Sequence, residues 1–185
     1  MTASKLEITA LPGLPIVRQD DDLATLVVEA LDRAGRTLET HDVLVVAQKI
    51  VSKAEGRIVD LATVEPGPAA REWATKTDKD PRVVELILSE AKRVVRHRPG
   101  LLIVEHRLGF VMANAGVDLS NAGPPGSEHA ILLPVDPDRS AAALREALRK
   151  LTGADVGVII NDSFGRPWRT GTLGVAIGVA GLPAL

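Results

Sequence analysis

Asp155-Val156-Gly157-Val158-Ile159-Ile160-Asn161-Asp162-Ser163, residues 155–163, is the stretch on which the fold turns. Residues 155–160 form a short run dominated by β-branched side chains, which predicts a buried strand, and strands of this kind deliver polar residues at their ends into a site. Asp162 is therefore expected just past the end of that strand. Upstream, Asp136-Pro137 predicts a helix cap, with the helix running to Thr152, Leu144, Leu148 and Leu151 turned inward, and Gly153 as its stop. Leu101–His106 and Phe110–Asn114 read as a hairpin around Leu108-Gly109, and 130–133 reads as another strand.

Toward the N-terminus the pattern is less regular. Lys5–Ala10 alternates as a strand would, and Leu11-Pro12-Gly13-Leu14-Pro15 breaks it. A helix follows, opened by Asp20, Asp21 and Asp22, striped by Leu23, Leu26, Val27, Ala30 and Leu31, and stopped by Gly35. Asp42–Val51 is expected as one strand leading to a turn at Gly56 and on into residues 57–61. Pro68–Lys76 and Asp80–Lys92 are expected as helices, the second capped by Asp80 with Pro81 at its first position and an apolar face of Val83, Val84, Ile87, Leu88 and Ala91. Helices and strands interleave without a βαβ rhythm. The expected class is α+β, mixed sheets with flanking helices, and neither a P-loop nor a Rossmann fold. Asn121–Ser127 is the best candidate for a mobile loop.

A chain of 185 residues suits one good core or two small lobes sharing an interface. With 45% hydrophobic residues, 25% charged residues and a net charge of −2, nothing advertises nucleic acid or a membrane. The absence of cysteine excludes disulfides and thiolate metal sites, so any metal must be held by oxygen or imidazole. Oxygen ligands favour magnesium, manganese or calcium. Met1–Asp20 lacks the apolar run of a secretory signal, and a cytoplasmic location is expected.

The sequence contains no Walker motif, no HExxH and no GxSxG, and Gly174, Gly178 and Gly181 lack dinucleotide-fingerprint spacing. The histidines at 41, 97, 106 and 129 are scattered, as surface or packing residues are. Three loci remain. In Asp162-Ser163-Phe164-Gly165-Arg166-Pro167-Trp168-Arg169, the carboxylate can hold a hard cation, Ser163 adds a hydroxyl, and Arg166 and Arg169 can meet phosphate or carboxylate oxygens. The same residues also suit a capped turn, with Trp168 over the core and the arginines solvated. In 114–121 (NAGVDLSN), small residues permit close approach while Asp118 and Asn121 offer oxygen and amide groups, although such a turn is also an ordinary strand exit. In 48–56 (QKIVSKAEG), a lysine can neutralise a phosphate, or Lys49 and Lys53 can simply be solvated.

Taken together, VVAQKIVSKAEGRIVDL, NAGVDLSN, NDSFGRPWR and the VAIGVAGL tail resemble the coenzyme F420:L-glutamate ligases, and they stand in the same order. The likeness runs from Leu14 to Leu182. It implies a ligase domain over 1–185 that uses GTP to join L-glutamate to the lactyl-phosphate carboxylate of a deazaflavin coenzyme precursor. The cofactors it implies are Mg2+ or Mn2+, two per site, with K+ as a possible monovalent addition. By the resemblance, Asp118 and Asp162 bind one divalent cation and Ser163 a second. Leu14, Pro15, Ile16, Val17, Gln48, Lys53 and Asn121 fall to the GTP site. Ser163 often corresponds to threonine in the family, which keeps the hydroxyl.

The resemblance also implies a homodimer, and family members of the ligase type continue for roughly a further third of a domain. The expectation is therefore a C-terminally truncated domain, lacking part of the nucleotide pocket and one ligand of the second cation. Two other functions use the same residues: a metal-dependent phosphohydrolase, with water in place of the amine, and a non-catalytic binding module.

Overall fold

Asp22 opens the first helix by accepting hydrogen bonds from the backbone N–H groups of Ala24 and Thr25 at 3.0 and 3.2 Å. A short carboxylate in the extended conformation suits that position. The computed structural model describes residues 5–123, 127–165 and 171–183. Helix α1 spans Leu23–Arg33 and buries Ala24, Val27, Ala30 and Leu31. Strand β1 (Val43–Ala47) passes directly into α2 (Gln48–Ala54), so the expected strand over 42–51 is in fact two elements. Apolar runs of this length fit either state, and flanking Gly or Pro is missing here to mark the change. After Gly56, whose φ of +67° makes the turn, come β2 (Ile58–Asp60), α3 (Pro68–Thr77) and α4 (Pro81–Ser89).

The second helix was expected to reach Lys92. It stops at Ser89, and Ala91–Arg98 forms strand β3 instead, the outer strand of a meander with β4 (Leu101–His106) and β5 (Val111–Ala113). The remaining elements are β6 (His129–Ile131), α5 (Pro137–Thr152), β7 (Gly157–Gly165) and β8 (Thr172–Ala180). Lys5–Ala10 forms no strand. Leu151 faces out at 55% exposure, because the buried stripe of α5 is Ala141, Leu144 and Leu148. The candidate mobile loop falls partly on residues 124–126, outside the described residues.

Three sheets result, β1-β7-β8, β2-β6 and β3-β4-β5, with helices packed against them, which is the expected α+β class. In the first sheet β1 runs parallel to β7, Val43 opposite Gly157 and Ala47 opposite Asn161, while β7 and β8 are antiparallel. One core joins this sheet to α1 and α5 through Val46, Leu144, Leu148, Val158 and Ile160. A second lies between α3, α4 and the meander, around Ala70, Val84, Ile87, Leu102 and Val104. No helix among the described residues is long and apolar enough to cross a membrane.

A Cβ at Gly178 would collide with the Pro137 carbonyl group, so β8 reaches the start of α5 only because that residue has no side chain. The approach is fastened by Asp138, whose Oδ1 accepts the Val179 N–H at 2.8 Å. Overpacking a tight contact costs about 1–3 kcal/mol. Gly178→Ala is expected to lower the thermal midpoint accordingly, and an unchanged melting curve would show that β8 can move away freely.

Glu90, 7% exposed, ties the two cores together. Its carboxylate accepts from Arg57 Nη2 at 2.7 Å and Arg107 Nε at 2.8 Å, with His106 Nε2 at 3.5 Å. The same guanidinium groups reach on to backbone carbonyls of Leu133, Pro134 and Val135, just ahead of α5. His106 is fully buried in this network, and its Nδ1 accepts the Leu108 N–H at 3.0 Å. Burial alone would push Glu90 upward. The His106 ring, Arg57 and Arg107 together outweigh it and hold the carboxyl down at about 2.

Candidate functional site

The parallel pairing of β1 with β7 sets Gln48 and Lys49, the first residues of α2, beside Asp162. Asp162 is not beyond a strand end as expected. Strand β7 continues through Asn161, Asp162 and Ser163 to Gly165, because β8 supplies a partner for these polar residues, with Asp162 opposite Val175 and Ser163 opposite Gly174. The position works like a strand end all the same, since β1 stops opposite Asn161 and leaves that side of β7 open to side chains from α2.

Asp118 arrives from the second acidic locus. Asn114, Ala115 and Gly116 have φ values of +52°, +53° and +69°, a left-handed turn that costs about 1–2 kcal/mol at each non-glycine residue. At Gly116 a Cβ would press on Leu133 at 2.9 Å, so glycine is needed for both reasons. Beyond the turn, Asp118 exchanges two backbone hydrogen bonds with Ile131, at 3.0 and 2.8 Å, which pin its Cα to the end of β6.

The two carboxylates share an electrostatic environment. Burial raises Asp162 above the ordinary aspartate range and the charge of Asp118 raises it further; the Ser163 N–H, the Lys49 charge and a hydrogen bond from Gln48 only partly offset this. For Asp118, burial also acts upward, but the Lys49 ammonium and hydrogen bonds from Ser120 more than compensate, and the carboxyl is held below its usual value. Lys49 Nζ lies 2.7 Å from Asp118 Oδ2 and donates to the Ser120 carbonyl and hydroxyl oxygens at 3.1 and 2.7 Å. Ser120 N–H in turn donates to Asp118 Oδ1 at 2.7 Å. Gln48, 3% exposed, is fixed by the Ser52 hydroxyl, which donates to its Oε1 at 2.9 Å.

Gln48, Asp118 and Asp162 are thus gathered around the end of β1, and the exposed Ser163 follows Asp162 along β7. Asn121 follows Ser120 on the same loop, with φ +54° and its residue exposed. Lys53 lies farther along α2, partly buried. Leu14–Val17 runs as irregular chain, Ile16 82% exposed and Val17 7%, between Gly13, held by Arg33 at 3.2 Å, and Asp20, whose N–H donates to Ala54 at the end of α2. Arg166 and Arg169 lie outside the described residues. Lys49 is the site residue whose part the sequence leaves open, its only signal being its place directly after Gln48 at the exit of an apolar strand.

Among the described residues no group of three or more His, Asp or Glu side chains could hold a metal. Two carboxylates nevertheless suit a hard cation of the magnesium type, which commonly takes one or two protein carboxylates and completes its shell with water and phosphate oxygens. The physical sign of fit is that Asp162 is partly buried near a second negative charge with only partial compensation, and that a lysine ammonium already seeks Asp118. For a second cation Ser163 would offer one hydroxyl oxygen.

A family model described as F420-0:Gamma-glutamyl ligase matches residues 13–185. The chain is 53% identical over 180 residues to a coenzyme F420:L-glutamate ligase of Methanopyrus kandleri, covering 97% of this chain and 68% of that protein. To the proteins of the same description from Methanothermobacter thermautotrophicus and Methanocaldococcus jannaschii it is 44% identical over 177 residues and 47% over 183, covering 96% and 98% of this chain and 69% of each relative. The resemblance seen in the motifs extends over nearly the whole sequence.

Proposed function

Since the chain belongs to the F420-0:Gamma-glutamyl ligase family, we propose that it joins L-glutamate to the carboxylate of a deazaflavin coenzyme F420 precursor, consuming GTP. Ligation of a glutamyl group to coenzyme F420 is the activity that the family and its relatives carry in their names. The observation that supports the site is the meeting of Asp118 and Asp162, brought from distant parts of the chain to one charged, partly buried spot beside Gln48 and Lys49.

A carboxylate is a poor electrophile until one of its oxygens becomes part of a leaving group. In the proposed reaction a precursor carboxylate oxygen attacks the γ-phosphorus of GTP, the bond to the β-phosphate oxygen breaks, and an acyl phosphate forms with release of GDP. The glutamate nitrogen then attacks the acyl carbon, the C–O bond to phosphate breaks, and the amine proton passes to solvent. A divalent cation bound by Asp118 and Asp162 would neutralise phosphate charge and orient the oxygens for in-line transfer. Ser163 would offer its hydroxyl to a second one.

The chain's own residues do the positioning. Gln48, locked by Ser52, directs its amide to Asp162 and favours the ionised carboxylate. The Ser163 N–H does the same from the following peptide. The left-handed turn holds Asp118 at the other side. Leu14–Val17, Lys53 and Asn121 are assigned to the nucleotide, and Arg166 and Arg169 to the anionic reactants. The proposed working form is a cytoplasmic homodimer.

Mass spectrometry of a reaction containing precursor, glutamate, GTP and Mg2+ or Mn2+ tests this directly. The expected product is the precursor extended by glutamate, with one GDP and one phosphate formed per bond. Release of phosphate from GTP that is independent of precursor and glutamate, with no extended product, would replace the ligase by a phosphohydrolase.

A further inference from the structure

We propose that Lys49 is a resident counter-cation of the site, which a divalent cation must displace from Asp118 before it can bind. The inference rests on the reading of Asp118 and Asp162 as cation ligands. It goes beyond that reading in giving Lys49 control over when the ligands become available.

The geometry carries it. The ammonium group has three N–H donors, and its partners are Asp118 Oδ2, the Ser120 carbonyl and the Ser120 hydroxyl, all on the acidic loop. No N–H is left to donate to a second anion while it holds this one, so it acts on Asp162 only through its charge. Asp118 Oδ1 is meanwhile occupied by the Ser120 N–H, so both carboxylate oxygens are engaged within the chain. A cation approaching Asp118 meets a positive charge at 2.7 Å from the oxygen it needs. Lys49 sits next to Gln48 at the start of α2, so the charge is planted on a helix rather than on the loop it holds. Displacement can therefore free the ammonium without dragging the Asp118 backbone, which is pinned separately to Ile131.

The side chains of Lys49 and Asp118 are 31% and 34% exposed, which places the pair between a solvated surface contact and a buried one. For such a pair the competition is worth a moderate factor in affinity. Lys49→Gln should therefore bind Mn2+ alone roughly three- to ten-fold more tightly than the parent chain, a range set by those interaction strengths. Lys49→Arg restores a cation at the position and should return affinity to the parent value or below. Asp118→Asn removes one ligand charge and should weaken binding relative to the parent.

The test is Mn2+ titration of the four proteins, followed by electron paramagnetic resonance of the free ion, at constant pH and ionic strength, with circular dichroism to verify folding. Tighter binding by Lys49→Gln that Lys49→Arg reverses supports the proposal, since a merely structural loss would not tighten binding. Equal or weaker binding by a folded Lys49→Gln, where Asp118→Asn still weakens the parent, overturns the role of Lys49 and leaves the cation site standing. Mn2+ binding indifferent to Asp118→Asn overturns both. Should Lys49→Gln prove unfolded, Lys49→Met is measured in its place with the same two outcomes.

Discussion

Asp162→Ala is expected to lower kcat/KM for ligation by at least about a thousand-fold while the protein keeps its fold. Losing a ligand that neutralises phosphate charge removes several kcal/mol of transition-state stabilisation, and each ~1.4 kcal/mol is a factor of ten. The fold should not suffer, because Asp162 is a burden to it: burial, and then the charge of Asp118, raise the carboxyl above its ordinary value. A carboxyl raised in the folded state binds more protons there than in the unfolded chain. In metal-free protein its contribution to stability therefore increases as pH falls from the raised value toward the ordinary aspartate value, and is least favourable above both. Asp162→Asn should accordingly melt no lower than the parent at neutral pH. Near-normal turnover of the alanine variant would remove Asp162 from the site, and a large fall in melting temperature would make it a structural residue instead.

Glu90→Gln should have the largest effect on stability. It keeps the shape but strips the negative charge from a carboxyl shared by Arg57 and Arg107 at 2.7 and 2.8 Å. Removing one partner of a buried ionic network costs about 3–5 kcal/mol, since the remaining charges stay desolvated. For a chain of this size that is a fall of roughly 6–20 °C in melting temperature. Here the sign of the pH effect is opposite to that at Asp162. Glu90 is held down at about 2 from an ordinary value of 4.5, so its stabilisation is complete above 4.5 and is lost as pH falls toward 2. Thermal melts across that interval should show the parent converging on the variant. A drop under about 2 °C at neutral pH would mean that water takes over the role of the carboxylate.

How far the sequence foretold this structure depends on where each segment finds its partners. Helix α5 was legible because all its determinants are local: Asp136 accepts the Arg139 N–H at 3.0 Å, Pro137 follows it, and Gly153 ends the helix at φ +76°. Strand β3 was hidden because Ala91–Arg98 is a polar sheet edge whose regularity comes from pairing with β4, not from its own pattern. The extension of β7 through Asn161-Asp162-Ser163 was hidden for the same reason, as β8 provides the missing partner. At the site, Asp118 and Asp162 stood out as carboxylates following apolar strands. Their partner Lys49 did not, because nothing within residues 48–56 records that the chain will return at 118 to meet it.

The parallel pairing of β1 and β7 also sets a timetable for synthesis. Residue 43 pairs with residue 157, and among the described residues β1 has no other strand neighbour. A ribosome adding roughly 5–20 residues per second leaves β1 waiting about 6–23 s for its partner to be made. Throughout that interval Val43-Leu44-Val45-Val46 is an apolar stretch without its strand partner on a nascent chain, while α3, α4 and the β3-β4-β5 meander, together with the core residues Leu61, Ala115, Ala130 and Leu132 packed among them, have all been made before residue 157. The growing chain can thus form one of its two cores before the other, and the sheet that carries Asp162 closes last.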